Sequence, residues 1–152
     1  MQRSSRIPRF VKAFLILFIA AAAGVSTWYF LSDPCDPETV REAGALLIRQ
    51  RDRFDHSYQF ATSASRDRVV RPVAELQQIL MDTQGVRVPA CMQQAKGELV
   101  DYMISVIRAF LAFGAEEPDG TIRDLLEQSD EYYLNFAEEL EAVNECAPLC
   151  IP

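Results

Sequence analysis

Residues 89–113 read PACMQQAKGELVDYMISVIRAFLAF, and this stretch decides the fold class. Met92, Ala95, Leu99, Met103, Val106, Phe110 and Phe113 recur at spacings of three and four, the period of one α-helical face. Pro89 opens the segment, since proline is tolerated in a first helical turn and disrupts a helix interior. Downstream, Glu116-Glu117-Pro118-Asp119-Gly120 is a turn cluster. Beyond it Ile122, Leu125, Ser129, Tyr132, Phe136, Leu140 and Val143 form another helical stripe, ending near Cys146. Upstream, Val69, Val73, Leu76, Ile79 and Leu80 repeat the period in a segment starting near Asp67 or Pro72 and running to Thr83. Pro72 must lie in its first turn or kink it, and Gly85 stops it.

A polar break over residues 62–67 separates that segment from the first, about Pro37 to Ala61. There Val40, Gly44, Leu47, Phe54, Tyr58 and Ala61 share a stripe, with Asp36 as cap and Pro37 in the first turn. No alternating strand pattern competes. The expected fold is all-α: an N-terminal transmembrane helix, then an up-down-up-down four-helix bundle with its cysteines at the membrane-proximal end.

The membrane segment is the uncharged run Ala13–Leu31, AFLILFIAAAAGVSTWYFL. At helical rise its length is about 28 Å, close to the hydrocarbon thickness of a bilayer. Arg3, Arg6, Arg9 and Lys12 precede it without an acid, a positive flank that stays cytoplasmic and sends the rest outside. Trp28 and Tyr29 stand where an aromatic belt meets the outer interface. The expected organisation is a cytoplasmic basic segment at 1–12, a signal anchor at 13–31, a linker at 32–37 and an extracytoplasmic bundle at 38–152. A cleaved signal peptide is the competing reading, because Ala20–Ala23 and Gly24 offer small residues to a peptidase. Ser32-Asp33-Pro34 ahead of Cys35 does not resemble a lipidation signal.

Charge narrows the partners. The chain of 152 residues has a net charge of -7, and its first 31 residues are basic, so the remaining 121 hold -11. Phosphate backbones and anionic lipid surfaces repel such a domain, and no nucleic-acid partner is expected. Within it, residues 41–71 hold seven arginines against four acids, while residues 97–152 hold thirteen acids against Arg108 and Arg123. That split reads either as a basic hairpin packed beside an acidic one, with most charges solvated, or as a face that docks a partner protein.

Four cysteines, Cys35, Cys91, Cys146 and Cys150, all fall at helix ends. In an antiparallel bundle the starts of helices one and three and the end of helix four share one end. Outside the cytoplasm an even cysteine count favours two disulfides. A four-cysteine zinc site would show a C-x-x-C knuckle on each side, and none is present. Of three possible pairings, Cys91 with Cys146 and Cys35 with Cys150 is preferred, because it staples the third helix to the fourth and the tail to the stalk.

Chemistry is sparse. The one histidine, His56, lies beside an apolar stripe among charged neighbours and reads as a surface residue. A di-iron bundle needs two histidines, covalent haem needs C-x-x-C-H, and neither pattern occurs. The scattered glycines build no phosphate loop. Glu138, Glu139, Glu141 and Glu145 lack the loop and glycine of a calcium-binding hand. Tyr102 and Tyr133 fall off the main stripes and read as groove-lining or loop-packing residues.

The segments Pro89-Ala90-Cys91 through Tyr102-Met103, Ala109-Phe110-Leu111-Ala112-Phe113 and Glu117-Pro118-Asp119 resemble segments of uncharacterised exported or membrane-anchored helical proteins of bacteria. The resemblance covers about half of the chain and rests on packing motifs. It implies a helical exported domain and carries no activity and no site residue.

The resulting expectation is a non-enzymatic, single-pass anchored domain without a cofactor, in contact with the bilayer through its N-terminal helix. It acts through an unknown protein partner as an accessory or envelope-associated subunit. The alternatives are a bundle that binds a small apolar ligand and, further off, a thiol or metal module at the membrane-proximal end.

Overall fold

The Asp36 carboxylate accepts hydrogen bonds from the backbone N–H groups of Glu38 and Thr39, both at 3.2 Å, and so starts the first helix at Pro37. A computed structural model describes residues 35–146, and among them the chain is helical throughout, with no strand. The elements are α1 (Pro37–Thr62), α2 (Val70–Gly85), α3 (Gln93–Gly114) and α4 (Asp119–Cys146). Short 3-10 turns at Arg66–Arg68 and Ala90–Met92 lead into α2 and α3. The polar break thus holds a 3-10 turn, and α3 begins a few residues later than Pro89 suggests.

Neighbouring helices alternate in direction. Arg53 and Ser57 of α1 reach Asp82 and Glu75 of α2, so rising numbers on one helix meet falling numbers on the other. Gln94 and Glu98 of α3 meet Glu139 and Asn135 of α4 in the same sense. The helices α1 and α3 run parallel and touch across the centre, Phe54 against Tyr102 and Tyr58 against Phe110. The helices α2 and α4 do not approach each other.

Amphipathic periodicity explains the arrangement. Val40, Gly44, Leu47, Phe54 and Ala61 of α1 are buried, as are Val69 and then Val73, Leu76 and Ile79 of α2, as the stripes predict. On α4, Ser129 and Phe136 are buried, with Tyr132, Leu140 and Val143 partly buried against the core. The aromatic and aliphatic side chains at the centre each stabilise the fold by about 1.5–3 kcal/mol. On α3 the buried face is broader than one stripe, because this helix packs against all three others. It takes in Tyr102, Ser105, Ile107, Ala109 and Ala112 besides Ala95, Leu99, Met103 and Val106, while the expected Phe110 and Phe113 are only partly buried. Tyr102 is therefore a core residue, 8% exposed, which corrects its reading as groove-lining or loop-packing.

Turn chemistry also departs from the sequence signals. Glu116, not a glycine, takes the left-handed conformation after α3, with φ 60°. Its own N–H donates to Phe113 C=O at 3.3 Å and the Glu117 N–H to Ala112 C=O at 3.0 Å, which closes the helix. The end of α2 is capped from a distance. Lys96 Nζ donates to the Gln84 and Val86 carbonyls at 2.7 and 2.8 Å, satisfying groups that the helix leaves open.

The segments at 1–12 and 13–31, with Arg9, Lys12, Trp28 and Tyr29, lie outside the described residues, as does Cys150. Among the described residues no helix is long and apolar enough to cross a membrane.

Candidate functional site

The last turns of α1 and α3 and the first turns of α4 meet at the end of the bundle away from Cys91. Ala61, Ala64 and Ala109 stand there where larger side chains would close the packing, and a cleft of about 200 Å³ remains. Its walls are Tyr58, Phe110, Phe113, Ile122 and Leu126, with Thr62 at the α1 side. Tyr58 and Phe110 meet edge to face, ring centroids 5.7 Å apart, which fixes one wall. The Arg66 guanidinium lies 4.8 Å from the centroid of Phe113 and 3.8 Å from the Glu116 carboxylate. Phe113 is thus held from outside by a cation–π contact worth about 0.5–1 kcal/mol at an exposed position. This cleft is concave and lined mostly by apolar side chains. Sequence reasoning missed it, because alanines on a helical stripe look like core.

Midway along the bundle, α1, α3 and α4 share a polar group of residues. Tyr102 Oη donates to Asp55 Oδ1 at 2.8 Å, and Arg51 Nε lies 3.9 Å from the other carboxylate oxygen. The Tyr133 ring packs on Tyr102 with centroids 5.4 Å apart. Burial pushes the Asp55 carboxyl above its ordinary value, against the hydrogen bond from Tyr102 and the charge of Arg51, which pull it down. Burial and then the Asp55 hydrogen bond push the Tyr102 phenol up, so it stays protonated and remains the donor. The arrangement fixes the α1–α3 register: a half-buried carboxylate accepts one committed proton from the helix opposite.

His56 is exposed and rests edge-on against Phe60, ring centroids 4.9 Å apart. With Arg53, Ser57, Glu75, Gln78 and Ile79 it lines a shallow polar groove between α1 and α2. The groove's own groups satisfy one another: Ser57 Oγ donates to Glu75 at 3.1 Å and Arg53 pairs with Asp82 at 3.3 Å.

The cysteines require a correction. Cys35 is bonded to Cys91, with Cα atoms 6.0 Å apart, so the preferred pairing of Cys91 with Cys146 and Cys35 with Cys150 does not hold. The reason is the parallel run of α1 and α3. Cys35 stands just before the α1 cap and Cys91 in the 3-10 turn just before α3, at the same level of the bundle. Cys146 and Cys150 are the two that remain. The bonded sulfurs of Cys35 and Cys91 are not available to a four-cysteine metal site. No group of three or more metal-ligating side chains gathers among the described residues.

Of the ion pairs among the described residues, Arg66–Glu116 alone joins the α1–α2 half to the α3–α4 half. The acids of α4 are mostly exposed, Asp124, Glu127, Glu131, Glu138, Glu141 and Glu145 among them. No protein-family model, no curated protein and no solved structure matches the chain.

Proposed function

We propose that this chain is a membrane-anchored helical domain held outside the cytoplasm, and that it works without catalysis by docking another protein along α1. One observation carries the docking reading. Leu46, Arg49, Arg53, His56 and Phe60 recur at spacings of three and four, and all five are exposed. The stripe is the reverse of the buried one. It has apolar side chains at both ends, Leu46 at 41% and Phe60 at 63% exposure, and two arginines between them, Arg49 and an Arg53 that also pairs with Asp82. Soluble surfaces carry scattered apolar residues as a matter of course, but a periodic row along one helix is the geometry by which helices meet partners. Its chemistry selects an amphipathic partner segment with acidic residues beside apolar anchors. The run Ala13–Leu31 supports the anchor, and the resemblance to exported bacterial helical proteins agrees with it.

The test is site-specific photocrosslinking of the full chain in its native membranes. A photoreactive residue at position 60 is expected to capture one protein in stoichiometric yield. The same residue at position 134, on the outer face of α4, captures none. Arg49→Glu abolishes the capture from position 60. Equal capture from both positions, or none from position 60, overturns the docking reading.

A further inference from the structure

We infer that the cleft between the far ends of α1, α3 and α4 is a binding site for a small, uncharged, largely apolar molecule about the size of one substituted ring. This stands apart from the docking reading and uses none of the α1 stripe. Size sets the first limit. A dry protein cavity of about 150 Å³ is known to take up benzene. Clefts that hold drug-sized ligands run to about 300–1,000 Å³. At about 200 Å³ this one accepts a single ring with a small substituent and excludes a fused or long-chain ligand.

Lining chemistry sets the second limit. No charged side chain is among the lining residues. The nearest cation, Arg66, already lies against Phe113 and beside Glu116, so a ligand carboxylate would have to displace an acid that is already there. An ionised ligand would lose its hydration without a compensating partner. Two hydroxyls remain. Thr62 Oγ1 donates to Gln59 C=O at 2.8 Å, which commits its proton. The Thr62 oxygen can still accept, and Tyr58 carries the other side-chain hydroxyl among the lining residues, so the site suits one alcohol, phenol or N–H. The aromatic walls are held by contacts of their own, so the site is formed before anything enters it.

The full chain, labelled with ¹³C at alanine and isoleucine methyls, provides the test, with benzyl alcohol, p-cresol and cyclohexanol as probes and hexanoate as the charged control. At least one neutral probe is expected to shift the Ala61, Ala64, Ala109 and Ile122 methyls along a saturable curve. Ala95, in the first turn of α3 at the opposite end, stays in place. Ala109→Leu fills the cleft and weakens that binding at least tenfold, with the Ala95 resonance unchanged. Ala64→Leu, from outside the regular helices, serves as the second filling variant should Ala109→Leu not fold. The inference is overturned if no neutral probe gives a saturable shift up to its solubility limit. It is also overturned if hexanoate binds as well as the neutral probes, or if the folded filling variants bind as the parent does.

Discussion

At one end of the bundle Cys35 and Cys91 join the starts of α1 and α3, and the side chains of Met92 and Leu140 close over Gly44. At the other end three alanines leave a cleft, and the chain is held by Arg66 over Phe113 and by a turn in which Glu116 adopts a left-handed conformation. The first end is cross-linked and filled. The second is noncovalent and has space in it. Local stability varies across a fold, and binding surfaces are drawn from its less stable parts. A domain cross-linked at one end can keep such a surface at the other without unfolding.

The strongest way to break this contrast is to cut the cross-link. Cys35 and Cys91 are 56 positions apart, and in the chain-entropy view closing such a loop stabilises the fold by about 4 kcal/mol. Cys91→Ser is expected to lower the unfolding free energy by about that amount in denaturant titrations. Ligand shifts at the cleft methyls persist below the new transition. Loss of cleft binding in the folded variant would show that the two ends are not independent.

The next largest effect lies between the ends. Tyr102→Phe removes the donor to Asp55 and leaves a half-buried carboxylate short of one hydrogen bond, a cost of about 1–2 kcal/mol by equilibrium unfolding. The same pair makes a pH prediction. The folded Asp55 carboxyl sits above its ordinary value of 3.8, so the native state holds that proton more tightly than the unfolded chain. Its contribution is complete below about that ordinary value and drains away as pH rises through the elevated one. Subtracting the pH–stability curve of Asp55→Asn from that of the parent should isolate a downward step above pH 3.8. An upward step would mean that Arg51 and Tyr102 outweigh burial.

What was legible in the sequence follows the same geography. The stripes of α1, α2 and α4 depend on local periodicity, and Val40 to Ala61, Val69 to Ile79 and Phe136 are buried where that period places them. The cap at Asp36 is equally local. Tyr102 was not legible, because its burial follows from α3 touching three helices, which spreads the apolar face beyond a three-four register. The disulfide partner was not legible either. Gathering the cysteines at one end needs only helix order, whereas choosing Cys91 for Cys35 needs the parallel contact of α1 with α3. The cleft was the least visible feature, since a cavity is a deficit of volume among Ala61, Ala64 and Ala109 and no motif marks it.

At the noncovalent end, Glu116→Gly sharpens the comparison. A left-handed φ costs a residue with a Cβ about 1–2 kcal/mol, and glycine is free of that cost but loses more backbone entropy on folding. The net expectation is a gain of about 1 kcal/mol, seen as a higher denaturation midpoint with an unchanged slope. The Arg66–Glu116 pair lost in the exchange is exposed and contributes little. A net loss would instead assign the pair and the Arg66–Phe113 stack a larger share in holding the cleft wall.

The smallest effect belongs to the filled end, and it distinguishes close packing from overpacking. Gly44 is buried within α1, where glycine is destabilising by about 0.5–1 kcal/mol relative to alanine. A Cβ there would meet Leu140 Cδ1 at 3.5 Å and Met92 Cε at 3.7 Å, both ordinary van der Waals separations. Gly44→Ala is therefore expected to raise stability by about 0.5 kcal/mol, the backbone gain less a small repacking cost. The gain should survive in the Cys91→Ser background, because it arises from the α1 backbone and not from the loop the disulfide closes. If Gly44→Ala destabilises the parent but not that variant, the disulfide is what presses Met92 and Leu140 against Gly44. The tightness of this end would then come from the covalent bond and not from side-chain fit.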